Sequence, residues 1–377
     1  MREKTRPSHK DDNHLFSIKE FEDKKTSLLS YPQTVFIELT LNCNLHCHMC
    51  RSKGYYLPYL NMPIGLFRDI ADQLFPYVKI VDLRGSGEST ILANFLEFVE
   101  YAINFDVQLK LVTNLTVKNN ELWDVLMENR FILAVSFDGA SEKTFEELRA
   151  GSNFKTIIKN LKYLSLLSEK YDLPSDNLYL TTVVQAKNLS EIPDIIRLAN
   201  ELGIQRIKLF PIKCSEASPD HLSHYPQQVK QMLDNSLLIA NNLGILLELS
   251  ASLLQDLAID ESIPRPCTHP WMYCYIDYQG GVGFCDHLVG KPQYTLGNFK
   301  EQSFMEIWNS PRFIQLREEH VSNNISLPYS PCRWCYSNRY IDLEHLYYPK
   351  YKNLIVSNIT RKEGLYKTLP SEDEDKK

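Results

Sequence analysis

The sequence has no long apolar run, no secretory signal and no excess of basic residues. No uninterrupted apolar stretch approaches the ~18 residues that a membrane-spanning helix needs. The start, MREKTRPSHKDDNH, lacks an apolar segment followed by a small-residue cleavage site. With 41 Lys and Arg against 47 Asp and Glu, the net charge of -6 disfavours extended contact with nucleic-acid phosphates. We therefore expect a cytoplasmic protein without a membrane or nucleic-acid partner.

The rest of the composition is ordinary for a folded protein, apart from the cysteines. The 377 residues are 44% hydrophobic and 23% charged, which allows a large core and about two domains. Nine cysteines in a chain expected to face a reducing compartment indicate metal binding or redox chemistry rather than disulfides.

The order of apolar segments predicts an α/β fold. From Val35, β-rich runs alternate with segments of helical period, as in consecutive βα units around a parallel sheet. The predicted strands are 35–41, 79–84, 108–113, 132–137, 178–184 and 204–210. The predicted helices between them are 65–75, 92–104, 119–128, 156–168 and 192–202. Six such strands make a partial (βα)6 barrel the expected architecture.

Four regions divide the chain. Residues 1–33 are polar and lack a sustained apolar period, which predicts an N-terminal arm or a short helix. Residues 34–262 form the predicted barrel, which ends with a helical stretch near 227–242 and a short strand over 245–249. Residues 263–345 form a small cysteine-rich module that contains a predicted β-hairpin, and residues 346–377 form an extension with a charged tail.

Three cysteines lie directly after the first predicted strand, in LTLNCNLHCHMCRSKG. Cys43, Cys47 and Cys50 are separated by three and then two residues. Three thiolates leave one iron of a 4Fe-4S cluster open, and an open iron can bind the amino and carboxylate groups of S-adenosylmethionine (SAM). A zinc site completed by His46 or His48 is the alternative.

This C-x3-C-x2-C pattern after the first strand of a partial barrel resembles the radical SAM superfamily. The resemblance implies that these cysteines hold a SAM-binding 4Fe-4S cluster and that SAM is cleaved reductively to a 5′-deoxyadenosyl radical, which abstracts a hydrogen atom from a substrate. It also implies a flavodoxin-like or ferredoxin-like electron donor. Met49 departs from the family, which often has an aromatic residue at this position, packed near adenine.

Residues at the ends of later predicted strands also match the family. Gly85, Gly87 and Glu88 form a G-x-G-E sequence that resembles the loop binding the amino group of the methionine moiety. Ser136 and Arg149 match positions that contact the ribose and the methionine carboxylate. A plain βα turn is the alternative for the glycine sequence.

Two more polar residues follow the third and fourth predicted strands, where open α/β sheets place their ligands. Asn114 is expected to take part in cofactor binding there. Asp138, in SFDG, has two interpretations, a residue of the site or the N-cap of the next helix.

Four of the remaining cysteines form a second pattern. Cys267 and Cys285 flank the predicted hairpin, and Cys332 and Cys335 close the module. Four thiolates can ligate a second 4Fe-4S cluster, and a zinc ribbon is the alternative. The module resembles the SPASM extension of radical SAM enzymes or its shorter twitch form, and this implies one auxiliary cluster because no cysteine follows Cys335. The matching landmarks between the cysteines are Pro270-Trp271, Gly297-Asn298 and Ile307-Trp308-Asn309.

Cys274 and Cys214 belong to neither pattern. Cys274 is either a buried residue of the hairpin or a substitute for Cys267 as a ligand. Cys214 follows the sixth predicted strand, where the substrate of an open barrel lies. Its thiol could give a hydrogen atom to a substrate radical, as an epimerase requires, and an inert loop cysteine is the alternative.

The resemblance implies an enzyme of one of two kinds. The twitch-like cysteine spacing is similar to that of dehydrogenases that oxidise aminocyclitols, and the short N-terminal arm favours a small substrate over a leader peptide. We therefore expect oxidation or epimerisation of a small polyol, aminocyclitol or amino sugar in a biosynthetic pathway. A maturase that epimerises or crosslinks a ribosomal precursor peptide is the alternative. A non-enzymatic scaffold would have no use for Glu88, Ser136 and Arg149 at strand ends.

Overall fold

The computed structural model describes residues 9–50, 59–215, 217–250, 253, 267–333, 346–347 and 354–357. The strands in these ranges are β1 (Thr34–Ile37), β2 (Ile80–Asp82), β3 (Gln108–Thr113), β4 (Ile132–Ser136), β5 (Leu178–Val184), β6 (Arg206–Pro211), β7 (Leu246–Ser250), β8 (Tyr273–Ile276), β9 (Gly281–Gly283), β10 (Gly297–Asn298), β11 (Leu346–Tyr347) and β12 (Leu354–Ser357). The α-helices are α1 (Lys10–Glu22), α2 (Ile64–Leu74), α3 (Phe95–Ala102), α4 (Asn120–Glu128), α5 (Glu142–Leu148), α6 (Phe154–Lys170), α7 (Ile192–Glu201), α8 (Pro226–Leu243), α9 (His269–Met272), α10 (Phe304–Trp308) and α11 (Pro311–Ser322).

The described strands form one sheet in the order β10-β9-β8-β1-β2-β3-β4-β5-β6-β7-β12-β11. Neighbours from β8 through β12 run parallel, and the outer pairs β8–β9, β9–β10 and β11–β12 run antiparallel. Helices α2 to α8 lie between successive parallel strands from β1 to β7, which is the pattern of βα units. The predicted α/β fold is confirmed, and its six predicted strands correspond to β1 to β6.

Burial alternates along the strands and defines two faces of the sheet. In β3, Leu109 and Leu111 are buried, whereas Lys110 between them is partly exposed. Strand β6 shows the same alternation around Lys208. The strand register places Lys110 beside Ile132, and Lys208 beside Thr181, which pairs with Ser136, so both lysines lie on the same face of the sheet. We call the concave face that carries both lysines the lumen.

Side-chain caps explain where several helices begin. Asn119, Ser141 and Asn153 each accept a hydrogen bond from a backbone N–H in the first turn of α4, α5 and α6. The five helices predicted between the strands are present, with ends that lie within three residues of the prediction. Helix α5 was given no predicted bounds, because it is too short to show a clear apolar period, and only a helix start after Asp138 was considered. No α-helix in the described ranges has both the length and the apolar character that a bilayer crossing requires.

The N-terminal region contributes a helix that is anchored to the barrel through polar side chains. In α1, Asn13 is fully buried, and its Nδ2 donates to Tyr31 O at 3.1 Å and to Tyr77 O at 3.2 Å. Glu20 accepts from the Ser30 backbone N–H at 3.0 Å and from the Ser30 hydroxyl at 2.6 Å. The missing apolar period concealed this contact, because buried polar residues that form hydrogen bonds replace the usual apolar face.

The predicted hairpin is present as β8 and β9, and it extends the barrel sheet. Gly280 in its turn has a φ of 88°, a conformation that glycine adopts without steric cost. Strand β8 pairs in parallel with β1 and places Tyr273 beside Thr34. On the far side β12, which was not predicted, pairs in parallel with β7. The C-terminal part of the chain therefore adds strands at both edges of the β1–β7 sheet.

Candidate active site

The loop directly after β1 carries the three cysteines of the first pattern. Leu45 anchors this loop and is 1% exposed. The backbone N–H of His46 donates to Ala150 O at 2.8 Å. The backbone N–H of His48 donates to Leu148 O at 2.9 Å, at the end of α5. The cysteine loop is therefore held both by β1 and by the segment that ends α5.

The three thiols of this loop influence one another electrostatically. Burial, together with the charges of Cys47 and Cys50, raises the pKa of Cys43 to about 11. Burial also raises the pKa of Cys47, against the lowering effect of the Arg149 guanidinium. Thiols with raised pKa values are poor free nucleophiles, whereas iron binding deprotonates them. Three thiols on one short loop therefore fit three irons of a 4Fe-4S cluster.

Two side chains direct N–H groups at these sulfur atoms. Asn114 Nδ2 lies 3.9 Å from Cys43 Sγ, and Arg149 Nη1 lies 3.7 Å from Cys47 Sγ. Such donors stabilise the negative charge of thiolates that bind a metal. The structure thus brings two of the residues predicted to contact SAM up to the cysteine loop itself.

The G-x-G-E loop packs against the chain segment that leads into the cysteines. A Cβ on Gly87 would lie 2.3 Å from Asn42 O and 2.7 Å from Thr40 O, distances that real Cβ atoms do not show. The Gly87 N–H donates to Thr40 O at 3.2 Å. A Cβ on Gly85 would lie 2.5 Å from Glu38 Cγ. Both positions require glycine because atoms of the segment before the cysteines come so close, and the glycine loop supports the cysteine loop through this contact.

Glu88 is 3% exposed and accepts hydrogen bonds from four protein groups, one of which is the Thr90 backbone N–H at 3.4 Å. One oxygen accepts from the hydroxyls of Thr90 at 2.6 Å and Thr113 at 2.8 Å, and the other accepts from the Asn114 backbone N–H at 2.6 Å. Burial raises the pKa of Glu88, and these hydrogen bonds oppose the rise. In the structure Glu88 ties the glycine loop to the end of β3.

A buried ion pair lies behind the cysteines. Arg149 Nε is 2.6 Å from Asp138 Oδ2, and Asp138 Oδ1 accepts from the Val183 backbone N–H at 2.6 Å. The interpretation of Asp138 as a helix cap is wrong, because Ser141, three residues later, caps α5. Ser136 ends β4 in a half-buried position.

The histidines of the cysteine loop do not complete a zinc site with the three thiols. His48 Nε2 lies 2.7 Å from Asp220 Oδ2, so its ring is engaged with the loop that follows β6. His46 is exposed. Within the described residues, no histidine nitrogen forms a group with two of these sulfur atoms in which all three atoms lie within 4.8 Å of one another.

Cys214 lies close to the same loop after β6. It is half-buried, and burial raises its pKa, with a lowering effect from the Ser218 hydroxyl and a raising effect from the Asp220 charge. Since Asp220 contacts His48 of the cysteine loop, Cys214 lies on the side of the barrel that carries the first cysteine pattern.

Three of the four cysteines of the second pattern are described. Cys267 is buried, and Cys285 and Cys332 are half-buried. Cys335 lies outside the described residues.

Cys274 occupies a core position in β8. It pairs with Val35 of β1, is 0% exposed, and has a pKa that burial raises far above its usual value. Of its two interpretations, the buried apolar residue matches these surroundings.

A histidine that was not predicted lies beside Cys285. One nitrogen of His269, the Cys285 sulfur and a carboxylate oxygen of Asp286 all lie within 4.8 Å of one another. His269 is 8% exposed and stacks on Tyr273 at 4.7 Å, and its Nδ1 is buried without a hydrogen-bond partner in the described part of the chain. A thiol and an imidazole nitrogen together fit a metal or cluster site. The Cys-x-His spacing from Cys267 was the available signal.

The lumen carries ion pairs that were also not predicted. They are Arg84–Asp82 (3.1 Å), Arg84–Asp286 (3.7 Å), Lys110–Asp82 (3.7 Å), Arg206–Glu248 (2.8 Å) and Lys208–Glu248. The signal was a charged residue between apolar neighbours in QLKLVT, RIKLFP and LLELS. A period of two places such residues on one face, opposite the buried core face.

Comparisons with known proteins agree with this geometry. Residues 37–199 match the Radical SAM superfamily, and residues 267–336 match SPASM, an iron-sulfur cluster-binding domain. The chain is 24% identical to an AdoMet-dependent heme synthase of Methanosarcina barkeri, over 78% of this chain and 86% of that protein. It is 26% identical to the mycofactocin maturase MftC of Mycobacterium ulcerans, over 77% of this chain and 78% of that protein.

A solved structure shares the fold. SuiB of Streptococcus suis bound to S-adenosylmethionine superposes with a TM-score of 0.63 at 16% identity, covering 79% of this chain and 70% of that one. A further SuiB structure is bound to its precursor peptide SuiA and gives the same TM-score of 0.63 at 15% identity, covering 81% and 70% of the two chains.

Proposed function

The chain is a radical SAM enzyme with a SPASM domain, and we propose that it oxidises or epimerises a polar substrate held in the lumen. Its cofactors are SAM and 4Fe-4S clusters. The observation that carries the proposal is the place of the lumen between two groups of cysteines. The loop of Cys43 follows the carboxyl end of β1, whereas His269, next to Cys285, precedes the start of β8.

In this proposal Cys43, Cys47 and Cys50 hold the SAM-binding cluster. When bound, cluster and SAM supply a 5′-deoxyadenosyl radical that removes a hydrogen atom from the substrate. The N–H groups of Asn114 and Arg149 stabilise the thiolate charge, because both side chains lie within 4 Å of a cysteine sulfur.

Gly85, Gly87, Glu88 and Ser136 complete the proposed SAM site. The two glycines let the backbone approach the segment that precedes the cysteines. The Glu88 carboxylate accepts a hydrogen bond from the Asn114 backbone N–H and so fixes the chain where it leaves β3. In this proposal the same carboxylate would also accept a hydrogen bond from the ammonium group of SAM.

Cys267, Cys285, Cys332 and Cys335 hold one auxiliary cluster, which supplies an electron acceptor for substrate oxidation. His269 directs a nitrogen to the same place. The first cluster receives its electron from a flavodoxin-like or ferredoxin-like protein.

A small polyol, aminocyclitol or amino sugar suits the lumen, because hydroxyl and amino groups form hydrogen bonds with charged side chains. Arg84, Lys110 and Lys208 remain partly exposed and donate to them. If the reaction is an epimerisation, Cys214 gives the hydrogen atom. Burial raises the pKa of Cys214, which keeps its S–H bond intact at neutral pH.

Peptide maturation is the second candidate function. Its support is the likeness to MftC, named as a maturase, and to SuiB, which was solved with its precursor peptide SuiA. In that case a side chain or a terminus of the peptide would enter the lumen.

The test is anaerobic reconstitution, followed by iron and sulfide analysis and a dithionite-driven assay for 5′-deoxyadenosine. We expect about eight irons per chain, as two 4Fe-4S clusters require. Stimulation by aminocyclitols or amino sugars supports the first candidate, and stimulation by a precursor peptide supports the second. In D₂O, an epimerase incorporates deuterium into its product, whereas a dehydrogenase releases a product with two hydrogens fewer.

Two cysteine variants provide the controls. Replacement of Cys43, Cys47 and Cys50 by Ala should abolish SAM cleavage, while Cys332→Ala should leave SAM binding intact. Bound zinc without deoxyadenosine formation, or persistent cleavage in the triple variant, contradicts the proposal.

A further inference from the structure

The first half of the lumen holds one carboxylate between two cations. Asp82 is only 4% exposed, and it lies 3.1 Å from Arg84 and 3.7 Å from Lys110. The pairing of β2 with β3 places Asp82 directly opposite Lys110, so the two side chains share one face of the sheet. The single carboxylate of Asp82 therefore pairs with two positively charged side chains.

The second half repeats this arrangement. Glu248 of β7 is 0% exposed, lies 2.8 Å from Arg206, and contacts Lys208 through its other oxygen. The register again pairs Lys208 with Glu248 directly. The register places Lys110 and Lys208 on one face of the sheet, through Ile132 and Ser136 of β4 and Thr181 of β5. Burial lowers the pKa of Lys208, and the charge of Lys110 adds to this effect.

The charges of the two halves do not cancel. Three carboxylates pair with four cations in these ion pairs. The carboxylates are Asp82, Glu248 and Asp286, of which Asp286 lies 3.7 Å from Arg84, and the cations are Arg84, Lys110, Arg206 and Lys208. Glu38, next on the lumen face of β1, is directed elsewhere and accepts from the Ser86 N–H at 2.8 Å. Four positive and three negative charges leave one positive charge in this network.

We propose that Lys110 and Lys208 bind a carboxylate or phosphate group of the substrate between them. This inference rests on the proposed function, since it names the chemical class of the molecule held in the lumen. The two lysine side chains remain 26% and 20% exposed, so an anion can reach both. Within a largely desolvated space, an anion between two ammonium groups is held more strongly than on an open surface.

The position of the lysines also sets the size of the substrate. Lys110 precedes Asn114, at the cysteine loop, by four residues, which along a strand corresponds to about 13 Å. A substrate with its anionic group at Lys110 would therefore extend along the lumen toward the cysteine loop over at most about this distance. An acid or a phosphate ester of a polyol or sugar fits within this span.

The test is a lysine-labelling experiment on the reconstituted holoenzyme with SAM present. An acetylating reagent and mass spectrometry measure the labelling rate of Lys110 and Lys208, with exposed Lys155 and Lys187 as internal controls. The probes are inorganic phosphate and malonate, compared with chloride at equal ionic strength. Bound anion should slow labelling of both lumen lysines by roughly fivefold at saturation, in a concentration-dependent manner, and leave the controls unchanged.

Protection by phosphate alone, or by malonate alone, identifies the anionic group. In Lys208→Gln, protection of Lys110 should be lost, whereas Lys187→Gln should keep it; SAM binding shows that both variants are folded. Equal labelling with either probe and with chloride overturns the inference. Dithionite-driven deoxyadenosine formation without protection would overturn only the anion site, and absence of deoxyadenosine would overturn the proposed function itself.

Discussion

Among single residues, Gly87 is closely surrounded by backbone atoms of the segment before Cys43. Its position leaves no room for a side chain, because Asn42 O and Thr40 O occupy the space where a Cβ would lie. The sequence motif alone offered a plain turn as an alternative, and the close approach to the chain before Cys43 distinguishes the two interpretations. A glycine that braces a functional loop is expected to be sensitive to the smallest substitution.

Gly87→Ala should weaken SAM binding about tenfold or more, since its Cβ would push the glycine loop away from the cysteine loop. Titration calorimetry of SAM into the reconstituted protein measures the change. Gly65→Ala is the matched control, because its Cβ meets nothing within 4 Å and alanine in α2 should stabilise the helix by about 0.5–1 kcal/mol. Unchanged SAM affinity in Gly87→Ala would argue against the bracing role.

His269→Phe should shift the reduction potential of the auxiliary cluster to a more negative value. Phenylalanine keeps the stacking on Tyr273 and removes the nitrogen that lies near Cys285 and Asp286. A nitrogen donor beside a cluster favours its reduced, more negative state. A redox titration followed by electron paramagnetic resonance measures the potential, and iron analysis checks that the cluster is retained. An unchanged potential would assign His269 a packing role only.

At the scale of elements, the sequence predicted those whose stability comes from apolar periodicity. Strands β1 to β6 and the helices between them were found because buried residues recur at periods of two and 3.6. Helix α1 was predicted only as an alternative to an extended arm, because it buries Asn13 and Glu20 instead of apolar residues. Strand β12 was not predicted because it is short and remote from its partner. The ion pairs of the lumen were not predicted, because the apolar period along one strand does not show which strands lie side by side in the sheet.

The candidate site divides in the same way. The spacing of Cys43, Cys47 and Cys50 by itself indicates three thiolate ligands of an iron-sulfur cluster, so these residues could be selected from the sequence. The contacts of Glu88 and Arg149 depend on which strand ends meet, and these follow only from the order of strands in the sheet.

The pH dependence of stability should reflect His320 in helix α11. Burial lowers its pKa to about 4, whereas in the unfolded chain it titrates near 6.5. Between these two pH values His320 is protonated in the unfolded chain and neutral in the folded protein. The stability that neutral His320 contributes is therefore fully present above pH 6.5 and is lost as the pH falls toward 4. Between pH 7 and pH 5 this costs about 2 kcal/mol.

His320→Gln should flatten this dependence, since glutamine has no proton to gain. Thermal unfolding midpoints of the reconstituted protein at several pH values measure the slope. His224→Gln, in a residue whose ring packs near Tyr225, serves as the control histidine. Equal slopes in the native protein and in His320→Gln would contradict the assignment.

At the scale of the whole molecule, the barrel and the SPASM domain share a sheet and a core. Trp308 of α10 is 0% exposed, and its Nε1 donates to Ser30 O at 3.1 Å, just before β1. Arg317 of α11 stacks over Trp308 at 4.5 Å and donates to Thr26 O at 3.0 Å. The two parts should therefore unfold together.

Trp308→Ala should lower the free energy of unfolding by about 3–5 kcal/mol, as expected for a large cavity in a core. Because the parts are joined, hydrogen exchange should also accelerate in β3 and β4, far from the substitution. Leu166→Ala is the control, since Leu166 is 62% exposed and its loss should cost less than about 0.5 kcal/mol. Faster exchange confined to α10 and α11 would show that the two parts are independent.

The placement of β8 beside β1 has a consequence for synthesis on the ribosome. Strand β1 begins at Thr34 and its neighbour β8 at Tyr273, so 239 residues separate the two starts. At roughly 5–20 residues per second, one side of β1 waits about 12–48 s for its partner. During that interval its free N–H and C=O groups can pair with other nascent chains. Aggregation during translation, and relief by chaperones, should therefore limit the yield of this enzyme more than the stability of the finished protein.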